Sequence, residues 1–302
     1  MTQARTRIMK GTAIITGADG GMGTEITRAV AAAGYHVIML CYTKIKGTER
    51  KSQLVLETGN TDIDVYQIDL SSLESILEVT GKLLQRLTSI ELLMNNAGTL
   101  STHFAQTNDG FERTVAVNYL APFVLTNRLV PLMHEGTRVV NMVSCTYAIG
   151  KTGSRFFTHG SDSNIFWRIP VYSNSKYALW MFTYELSERL KEKGVRVNAA
   201  DPGIVSTNII RMDIAVIDWL ADIFFRPIIR TPRQGADTAI RLLLDEDKAD
   251  ITGQLFASGK SCRLKPKFTD RTASTRLWEE TAAQLTQWSS TQTGLATLDF
   301  SI

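Results

Sequence analysis

The 302-residue chain has few of the residues that build metal sites and disulfide frameworks. It contains three cysteines, Cys41, Cys145 and Cys262, which lie far apart in the sequence, and four scattered histidines. These spacings exclude a disulfide-stabilised scaffold and a zinc ribbon. The sequence therefore predicts a protein of a reducing compartment, with no bound metal.

The chain also lacks an excess of one charge and a long apolar run. Its 33 basic and 30 acidic residues leave a formal net charge of +3, without clusters of like charge. Nucleic-acid-binding proteins usually have a clustered basic excess, so no nucleic-acid partner is expected. No apolar stretch approaches the roughly 20 residues of a membrane-spanning helix, and residues 1–10 lack the apolar part of a secretory signal. We therefore expect a cytoplasmic protein without a membrane span.

The sequence does contain an alternation of short apolar runs and longer segments with helical spacing. The runs predict buried parallel strands over 12–16, 36–42, 63–68, 91–95, 138–143 and 195–200. Helices are predicted over 22–33, 72–87, 111–133 and 172–193. Ser71 and Glu74 have the form of a capping box for the second of these. The alternation predicts an α/β fold, a Rossmann-type doubly wound parallel sheet of about seven strands with helices on both faces.

No repeat or linker divides the chain, so we expect one domain over residues 1–302. Within it we expect a core over about 12–258, a segment over 207–232 that covers the substrate, and a C-terminal extension over 259–302. The polar residues after Trp288 predict a frayed end. In a sheet of this kind, ligands bind beyond the carboxyl ends of the strands, where we expect the functional residues.

A glycine-rich turn follows the first predicted strand and leads into the first predicted helix. It spans Thr16 to Gly23 and reads TGADGGMG. Glycines permit a tight turn and a close approach of the backbone to a pyrophosphate, and the next helix offers its first N–H groups to that anion. Such a turn can also be a plain connector, but its place in a strand–helix–strand unit predicts a dinucleotide site.

The end of the second predicted strand bears on which dinucleotide binds. An acidic residue there would hold the ribose 2′-hydroxyl of NAD. The chain instead continues from Cys41 through Tyr42 to Lys44, with Lys46 and Arg50 beyond, and has no carboxylate there. These basic side chains either belong to a solvated loop or contact a 2′-phosphate. NADP is therefore favoured, with NAD as the alternative.

Three tyrosines precede a lysine by four residues, in the pairs Tyr42/Lys46, Tyr147/Lys151 and Tyr172/Lys176. On a helix, residues with this spacing share one face, and the ammonium would lower the pKa of the phenol from about 10, so that it can exchange protons. The first pair lies at the adenosine end of the predicted site, and Gly150 interrupts the second. The third pair opens a long predicted helix, so it is the candidate for catalysis.

Together these features resemble the short-chain dehydrogenase/reductase family, from Thr12 to about Phe256. The other matching motifs are Asp69-Leu70, Asn95-Asn96-Ala97-Gly98, Asn118 in VNYLAPF, Ser144 in VVNMVSC and Asp201-Pro202-Gly203-Ile204-Val205-Ser206-Thr207. TNDGFERTVAVNYLAPFVLTN and RLWEE resemble its retinol dehydrogenase-like and protochlorophyllide reductase-like group. At Thr24 and Tyr42 that group commonly has basic residues, which weakens the support for NADP.

The resemblance implies four catalytic residues. Tyr172 would donate a proton to a carbonyl oxygen as NADPH delivers hydride, while Ser144 polarises that oxygen. Lys176 would lower the pKa of Tyr172 and hold the nicotinamide ribose, and Asn118 would anchor a relay water. The residues expected to contact the cofactor are Gly17, Asp19, Gly20, Gly21, Met22, Gly23, Tyr42, Lys44, Asp69, Leu70, Asn96, Ala97, Gly98, Tyr172, Lys176, Pro202, Gly203, Val205 and Thr207.

Two segments are expected to shape the substrate pocket. Residues 145–171 contain several aromatic side chains, among them Phe166 and Trp167. Residues 213–229 have polar residues at every fourth position, Asp218, Asp222 and Arg226, which leaves a wide apolar face. That face could be core, a lid over a lipophilic substrate, a subunit contact or a membrane-surface helix.

The resulting prediction is an NADP-preferring oxidoreductase that interconverts an alcohol and a carbonyl on a bulky apolar substrate. The resemblance implies a homodimer or homotetramer. Two alternatives stay open: reduction of a C=C bond on the same fold, and a non-catalytic dinucleotide sensor or scaffold.

Overall fold

The computed structural model describes residues 10–153, 155–158, 168–205, 230–292 and 298–302. Its sheet has the order β3-β2-β1-β4-β5-β6-β7-β8. The strands are β1 Thr12–Thr16, β2 His36–Cys41, β3 Ile63–Gln67, β4 Ile90–Asn95, β5 Met133–Met142, β6 Arg196–Asp201, β7 Leu255–Ala257 and β8 Lys260–Ser261. All neighbouring pairs are parallel except β7 and β8. The predicted doubly wound parallel sheet is therefore confirmed.

The eighth strand is an addition to the roughly seven that the sequence predicts. β8 pairs with β7 in an antiparallel manner through a two-residue turn, Ser258 and Gly259. Both turn residues have positive φ, 52° and 74°, as tight hairpin turns require. With only two residues, β8 is too short to produce an alternating pattern that the sequence analysis could detect.

Helices cover both faces of the sheet. They are α1 Gly21–Ala32, α2 Lys44–Thr58, α3 Leu73–Arg86, α4 Arg113–Val115, α5 Ala121–Leu129, α6 Arg168–Arg189, α7 Pro232–Leu244 and α8 Arg271–Ser290. Apolar residues of α3, α5, α6 and α8 form the core on one face, and those of α1, α2 and α7 form the core on the other. The carboxyl ends of the parallel strands are left between the two helical layers, where the turns meet.

Several local boundaries differ from the sequence expectations. Ser72, not Ser71, caps α3, since its side chain accepts a hydrogen bond from the N–H of Ser75 at 3.2 Å. Ser71 instead donates to Asp69. Helix α6 begins at Arg168, so Pro170 lies in its first turn, where a missing N–H costs little. Helix α2 was not predicted, because few of its residues are buried and its apolar spacing is weak.

The predicted helix over 111–133 is a composite of α4, a π-helical segment Ala116–Leu120, α5 and a 3-10 turn Val130–Leu132. In the described part of the chain, this stretch alone is long and apolar enough to span a membrane by length and composition, which corrects the sequence expectation. In the sequence, polar residues such as Asn127 interrupt the apolar run, so the length of the stretch is not evident. Inside the fold, the side-chain amide of Asn127 donates a hydrogen bond. The most apolar window of the stretch is 83% buried, so it packs as a core helix.

The end of the chain is packed rather than frayed. Phe300 is 5% exposed, and its ring centroid lies 5.1 Å from that of Phe123 in α5. Trp278 of α8 packs on the same ring at 4.7 Å. The expectation of a frayed end is therefore wrong for residues 298–300, because an aromatic side chain near the terminus fills a space between α5 and α8.

A buried carboxylate joins α6 to α8. Glu185 accepts hydrogen bonds from Arg189 at 2.8 Å, Ser274 at 2.9 Å and Thr275 at 3.1 Å, and lies 3.3 Å from the Arg271 guanidinium. With these partners its negative charge is compensated inside the protein. The C-terminal helix is thus attached to α6 by polar as well as aromatic contacts.

We expect Phe300→Ala to lower the free energy of unfolding by about 3 kcal/mol, because it removes a buried aromatic ring from the core. Leu56→Ala is the control, since Leu56 is 86% exposed and its loss should cost less than about 0.5 kcal/mol. Denaturant-induced unfolding of both variants measures the difference. Equal small effects would mean that the terminal residues are not part of the core.

Candidate active site

A cavity of about 620 Å³ opens at the carboxyl ends of β1, β2 and β4. It lies within the size range of small-molecule and cofactor sites. Its lining includes these predicted cofactor contacts: Gly17, Asp19, Gly20, Gly21, Met22, Gly23, Tyr42, Asp69, Leu70, Asn96, Ala97 and Gly98. It also includes residues that the sequence analysis missed, because no motif marks them: Leu40, Ile68, Ser71, Thr99, Arg113 and Val117.

The glycine-rich turn is folded tightly against the end of β4. Gly17 has a φ of 60°, and a Cβ atom at Gly23 would collide with the Gly17 carbonyl oxygen. The Asn96 side chain donates to the carbonyl oxygens of Thr16 and Gly17 at 3.0 and 3.2 Å. In return, the Thr16 hydroxyl accepts from the backbone N–H groups of Asn96 and Ala97, both at 3.0 Å. Two motifs that are far apart in the sequence thus form one rigid wall of the cavity.

The start of α1 fits an anionic ligand. Gly20 is its N-cap, and no side chain of the described residues caps this helix, so its first N–H groups face the cavity region. Helix N-termini without caps bind phosphate through these groups and the helix dipole. Asp19, on the same wall, hydrogen-bonds the buried thiol of Cys41, whose pKa is raised to about 12 by burial. The residues present therefore fit a dinucleotide.

Several predicted cofactor contacts do not line this cavity. Lys44 and Lys46 are both exposed in the first turn of α2. Pro202, Gly203 and Val205 lie after β6, beside the predicted catalytic residues. The following predictions lie outside the described residues: Thr207, Phe166, Trp167, and the segment 213–229 with Asp218, Asp222 and Arg226.

Of the three tyrosine–lysine pairs, the third has both residues on one helix. Tyr172 and Lys176 lie in α6, with the Lys176 Nζ atom 5.7 Å from the centroid of the Tyr172 ring. Lys176 is 3% exposed, and its Nζ donates to the Met142 carbonyl oxygen at 2.9 Å. Tyr147 instead lies in the 3-10 turn Cys145–Ile149, which ends before Lys151.

Ser144 and Asn118 lie near Tyr172 and Lys176, although they belong to other elements of the fold. Ser144 follows β5, and its side chain lies close enough to Tyr172 to lower the pKa of the phenol. Asn118 is buried in the π-helical segment, a type of local distortion that is frequent at functional sites. Its amide donates to the Thr99 carbonyl oxygen at 2.9 Å and to the Ser175 hydroxyl at 3.0 Å.

Ser175, which the sequence analysis missed, links Asn118 to Tyr172. The Ser175 hydroxyl donates to the Tyr172 carbonyl oxygen at 2.7 Å, so Asn118 supports the turn of α6 that carries the tyrosine. Gly98, on the cavity wall, leaves room for the cluster: a Cβ atom there would lie 3.3 Å from both Asn118 Oδ1 and Lys176 Nζ. Asn118 and Lys176 therefore lie directly behind the cavity wall at Gly98, although none of the four predicted catalytic residues is itself part of the lining.

The electrostatics of the pair differ from the sequence expectation. Burial raises the pKa of Tyr172 to about 12, although its hydrogen bond with Ser144 acts in the opposite direction. Burial also lowers the pKa of Lys176 to about 8, against the attraction of the Asp201 carboxylate. The pKa of Tyr172 thus lies above 10, not below it as the sequence analysis expects, because loss of hydration outweighs the influence of Ser144.

We expect Gly23→Ala to destabilise the protein by about 1–3 kcal/mol, because the added methyl group would collide with the Gly17 carbonyl oxygen. Gly81→Ala is the matched control: nothing lies within 4 Å of its Cβ position in α3, and it should stabilise the helix by up to about 1 kcal/mol. Denaturant unfolding of both variants measures the contrast. If Gly23→Ala were stabilised as Gly81→Ala is, the glycine-rich turn would not be closely packed at Gly23.

Comparison with known proteins agrees with this architecture. Residues 11–214 match the family model of short chain dehydrogenases. Bovine retinol dehydrogenase 12 is 33% identical over 269 residues, which are 88% of this chain and 83% of that protein. A crystal structure of an uncharacterised protein from Mycobacterium paratuberculosis has a TM-score of 0.73 and 24% identity, covering 91% of this chain and 93% of the other.

A short chain dehydrogenase from Burkholderia cenocepacia, solved in complex with NADP, has a TM-score of 0.66 and 21% identity. The match covers 83% of this chain and 97% of that one. The fold, the family model and the curated relative agree with each other. The chain therefore belongs to the short-chain dehydrogenase family, as its resemblance to the retinol dehydrogenase-like group predicts, and is an oxidoreductase acting on CH–OH or C=O groups.

Proposed function

We propose that the protein is an NADP-preferring oxidoreductase that interconverts an alcohol and a carbonyl group on a bulky apolar substrate. One observation carries this proposal: Lys176 lies behind the cavity wall at Gly98 with its Nζ atom 5.7 Å from the Tyr172 ring, and Ser144 is close enough to Tyr172 to lower the pKa of its phenol. A proton donor, a polarising hydroxyl and a cation are the groups that carbonyl reduction needs.

The roles of the side chains follow from their positions. The dinucleotide, when bound, supplies or accepts the hydride. Ser144 donates a hydrogen bond to the substrate oxygen and Tyr172 transfers the proton to it. With a pKa of about 12, Tyr172 is in its phenol form near neutral pH, which is the form that can donate a proton to a carbonyl oxygen. Lys176 holds the nicotinamide ribose, and Asn118 supports Tyr172 through Ser175.

Three observations support NADP as the cofactor. The end of β2 has no carboxylate that would repel a 2′-phosphate. Two exposed lysines, Lys44 and Lys46, lie in the first turn of α2, where the helix dipole is positive. A structural neighbour from Burkholderia cenocepacia was solved with NADP. We propose that the two lysines bind the 2′-phosphate.

Exposed aliphatic side chains support an apolar substrate. Ile149, Ile169 and Ile204 are 71%, 43% and 39% exposed. They lie in the turn after Ser144, in the first turn of α6 and in the loop after β6, the three elements that surround the reacting hydroxyls. The curated relatives are retinol dehydrogenases, and retinol is a bulky apolar alcohol. We therefore choose all-trans-retinal as the first test substrate, with other lipophilic ketones, aldehydes and enones beside it.

The cytoplasmic location, the homodimer or homotetramer, and the single domain over 1–302 stay predictions. The three thiols are free, which agrees with a reducing compartment. Chromatography with light scattering measures the oligomeric state.

We expect Tyr172→Phe to abolish NADPH-dependent carbonyl reduction while leaving NADPH binding nearly unchanged, because it removes the proton donor and little else. Tyr184→Phe, on the same helix, is the control and should retain activity. NADPH oxidation against the carbonyl panel and NADPH fluorescence measure the two properties. Substantial turnover by Tyr172→Phe would refute the assigned acid, and NADPH binding by a wild type without turnover would favour the sensor alternative.

We expect the double change Lys44→Ala/Lys46→Ala to weaken NADPH binding on the order of tenfold, through loss of charge-assisted contacts with the 2′-phosphate. NADH binding should not change, since NADH lacks that phosphate. The matched control is Lys191→Ala/Lys193→Ala, which removes two exposed lysines just before β6, at the opposite edge of the sheet. Equal losses for NADPH and NADH would rule out the 2′-phosphate contact.

A further inference from the structure

A buried hydrogen bond connects the C-terminal helix α8 to the segment that carries Asn118. The Tyr119 hydroxyl lies 2.6 Å from the Thr281 hydroxyl of α8, and both residues are 0% exposed. Thr281 donates its single hydroxyl hydrogen to the carbonyl oxygen of Leu277 at 2.7 Å, so the Tyr119 phenol is the donor to Thr281. Helix α8 lies beyond residues 11–214, which match the family model. The bond therefore joins the matched part of the chain to the C-terminal extension.

Tyr119 and Asn118 are neighbours in the π-helical segment, but their side chains bind different elements. The Asn118 side chain accepts from the N–H of Thr99 at 2.7 Å and donates to the Ser175 hydroxyl at 3.0 Å. Tyr119 bonds to α8, and its ring centroid lies 5.5 Å from that of Phe156. Two adjacent residues of one turn are thus held from the site in one case and from the C-terminal helix in the other.

The direction of these side chains depends on the geometry of the π turn. The N–H of Ala121 donates to the carbonyl oxygen of Ala116, five residues earlier, so the turn contains one residue more than an α-helical turn. If the extra residue were accommodated at another position, the side chains in between would rotate by about 100°, the rotation per residue of an α-helix. Asn118 would then not point at Ser175. Side-chain bonds at both Asn118 and Tyr119 fix where the extra residue lies.

We propose that Tyr119 and Thr281 are positioning residues, through which α8 holds the π-helical segment so that Asn118 points at the site. The inference rests on the proposed function, since Asn118 supports Tyr172 through Ser175. It gives the C-terminal helix a part in the reaction that none of the sequence motifs indicates.

A simpler role for the bond is to satisfy a buried phenol and to stabilise the core. Loss of a bond with that role alone would lower stability and leave the turnover number of the folded enzyme unchanged. The positioning role predicts a lower kcat at a temperature at which every variant is fully folded. It also predicts unchanged NADPH affinity, because the dinucleotide cavity is lined by other residues.

The first test uses Tyr119→Phe, which removes the hydroxyl and retains the buried ring. We expect kcat for carbonyl reduction to fall about tenfold, because a small misplacement of catalytic groups is costly in rate. Thr281→Val removes the acceptor and retains the shape of the side chain, so it should cause the same loss. The double variant should lose no more than either single variant, since both changes remove one bond. NADPH fluorescence measures the cofactor affinity of all three.

The second test is hydrogen–deuterium exchange of the backbone over residues 113–125, which needs no substrate. Thr281→Val alters α8, so faster exchange in the π-helical segment would report the contact between the two elements. Tyr119→Phe should increase exchange there to a similar extent. If Tyr119→Phe does not fold, Thr281→Val tests the same bond from the other side.

Two control variants come from the same helix. Thr281→Ser retains the hydroxyl and should retain the wild-type kcat. Thr286→Val removes another hydroxyl of α8, which donates to the Leu298 carbonyl oxygen at 3.1 Å, away from the π-helical segment. It should lower stability and leave both kcat and the exchange of residues 113–125 unchanged.

An unchanged kcat in Tyr119→Phe and Thr281→Val, or an equal loss in Thr286→Val, would overturn the inference while the proposed function stands. Additive losses in the double variant would also overturn it, because the two residues would then act separately. Absence of turnover by the wild type would instead contradict the proposed function. Unchanged exchange in both single variants would in that case overturn the link between α8 and the π-helical segment.

Discussion

The buried amine of Lys176 donates a hydrogen bond to the Met142 carbonyl oxygen, and the candidate site depends on this contact. A lysine that is 3% exposed must have such a partner, because an unpaired buried ammonium is costly. Met142 is the last residue of β5, so the bond attaches α6 to the carboxyl edge of the sheet. It thereby holds Tyr172, one helical turn earlier, against Ser144, which follows the same strand.

Close backbone approaches produce the cavity beside this contact. An added Cβ atom would collide with the Gly17 carbonyl oxygen at Gly23 and would be tightly packed at Gly98, 3.3 Å from the side chains of Asn118 and Lys176. The polar contacts of Asn96 with Thr16 hold the walls in place. The result is a preformed cavity that presents the first N–H groups of α1, which suits a phosphate-containing ligand.

Burial controls the charges of the site more strongly than the contact between lysine and tyrosine does. It raises the pKa of Tyr172 and lowers that of Lys176, and the Asp201 carboxylate opposes the second effect. The site at neutral pH thus contains a phenol and a cation, the state in which a carbonyl oxygen can be protonated. A bound dinucleotide and substrate would shift the pKa values of Tyr172 and Lys176, because both ligands change the hydration of these two side chains.

The sequence by itself determined the strand–helix alternation, the glycine turn and the spacing of Tyr172 and Lys176, since each depends on local pattern, whereas Ser144 and Asn118 were implied by the family resemblance. The family resemblance followed from the order of these motifs. Only the tertiary structure decided that Ser72 caps α3, that Phe300 is buried and that Lys44 lies off the cavity wall. These features depend on burial and on contacts between distant segments. The pKa of Tyr172 also depends on the tertiary structure. The sequence spacing reveals the neighbouring lysine, but it does not reveal that burial removes water from the phenol.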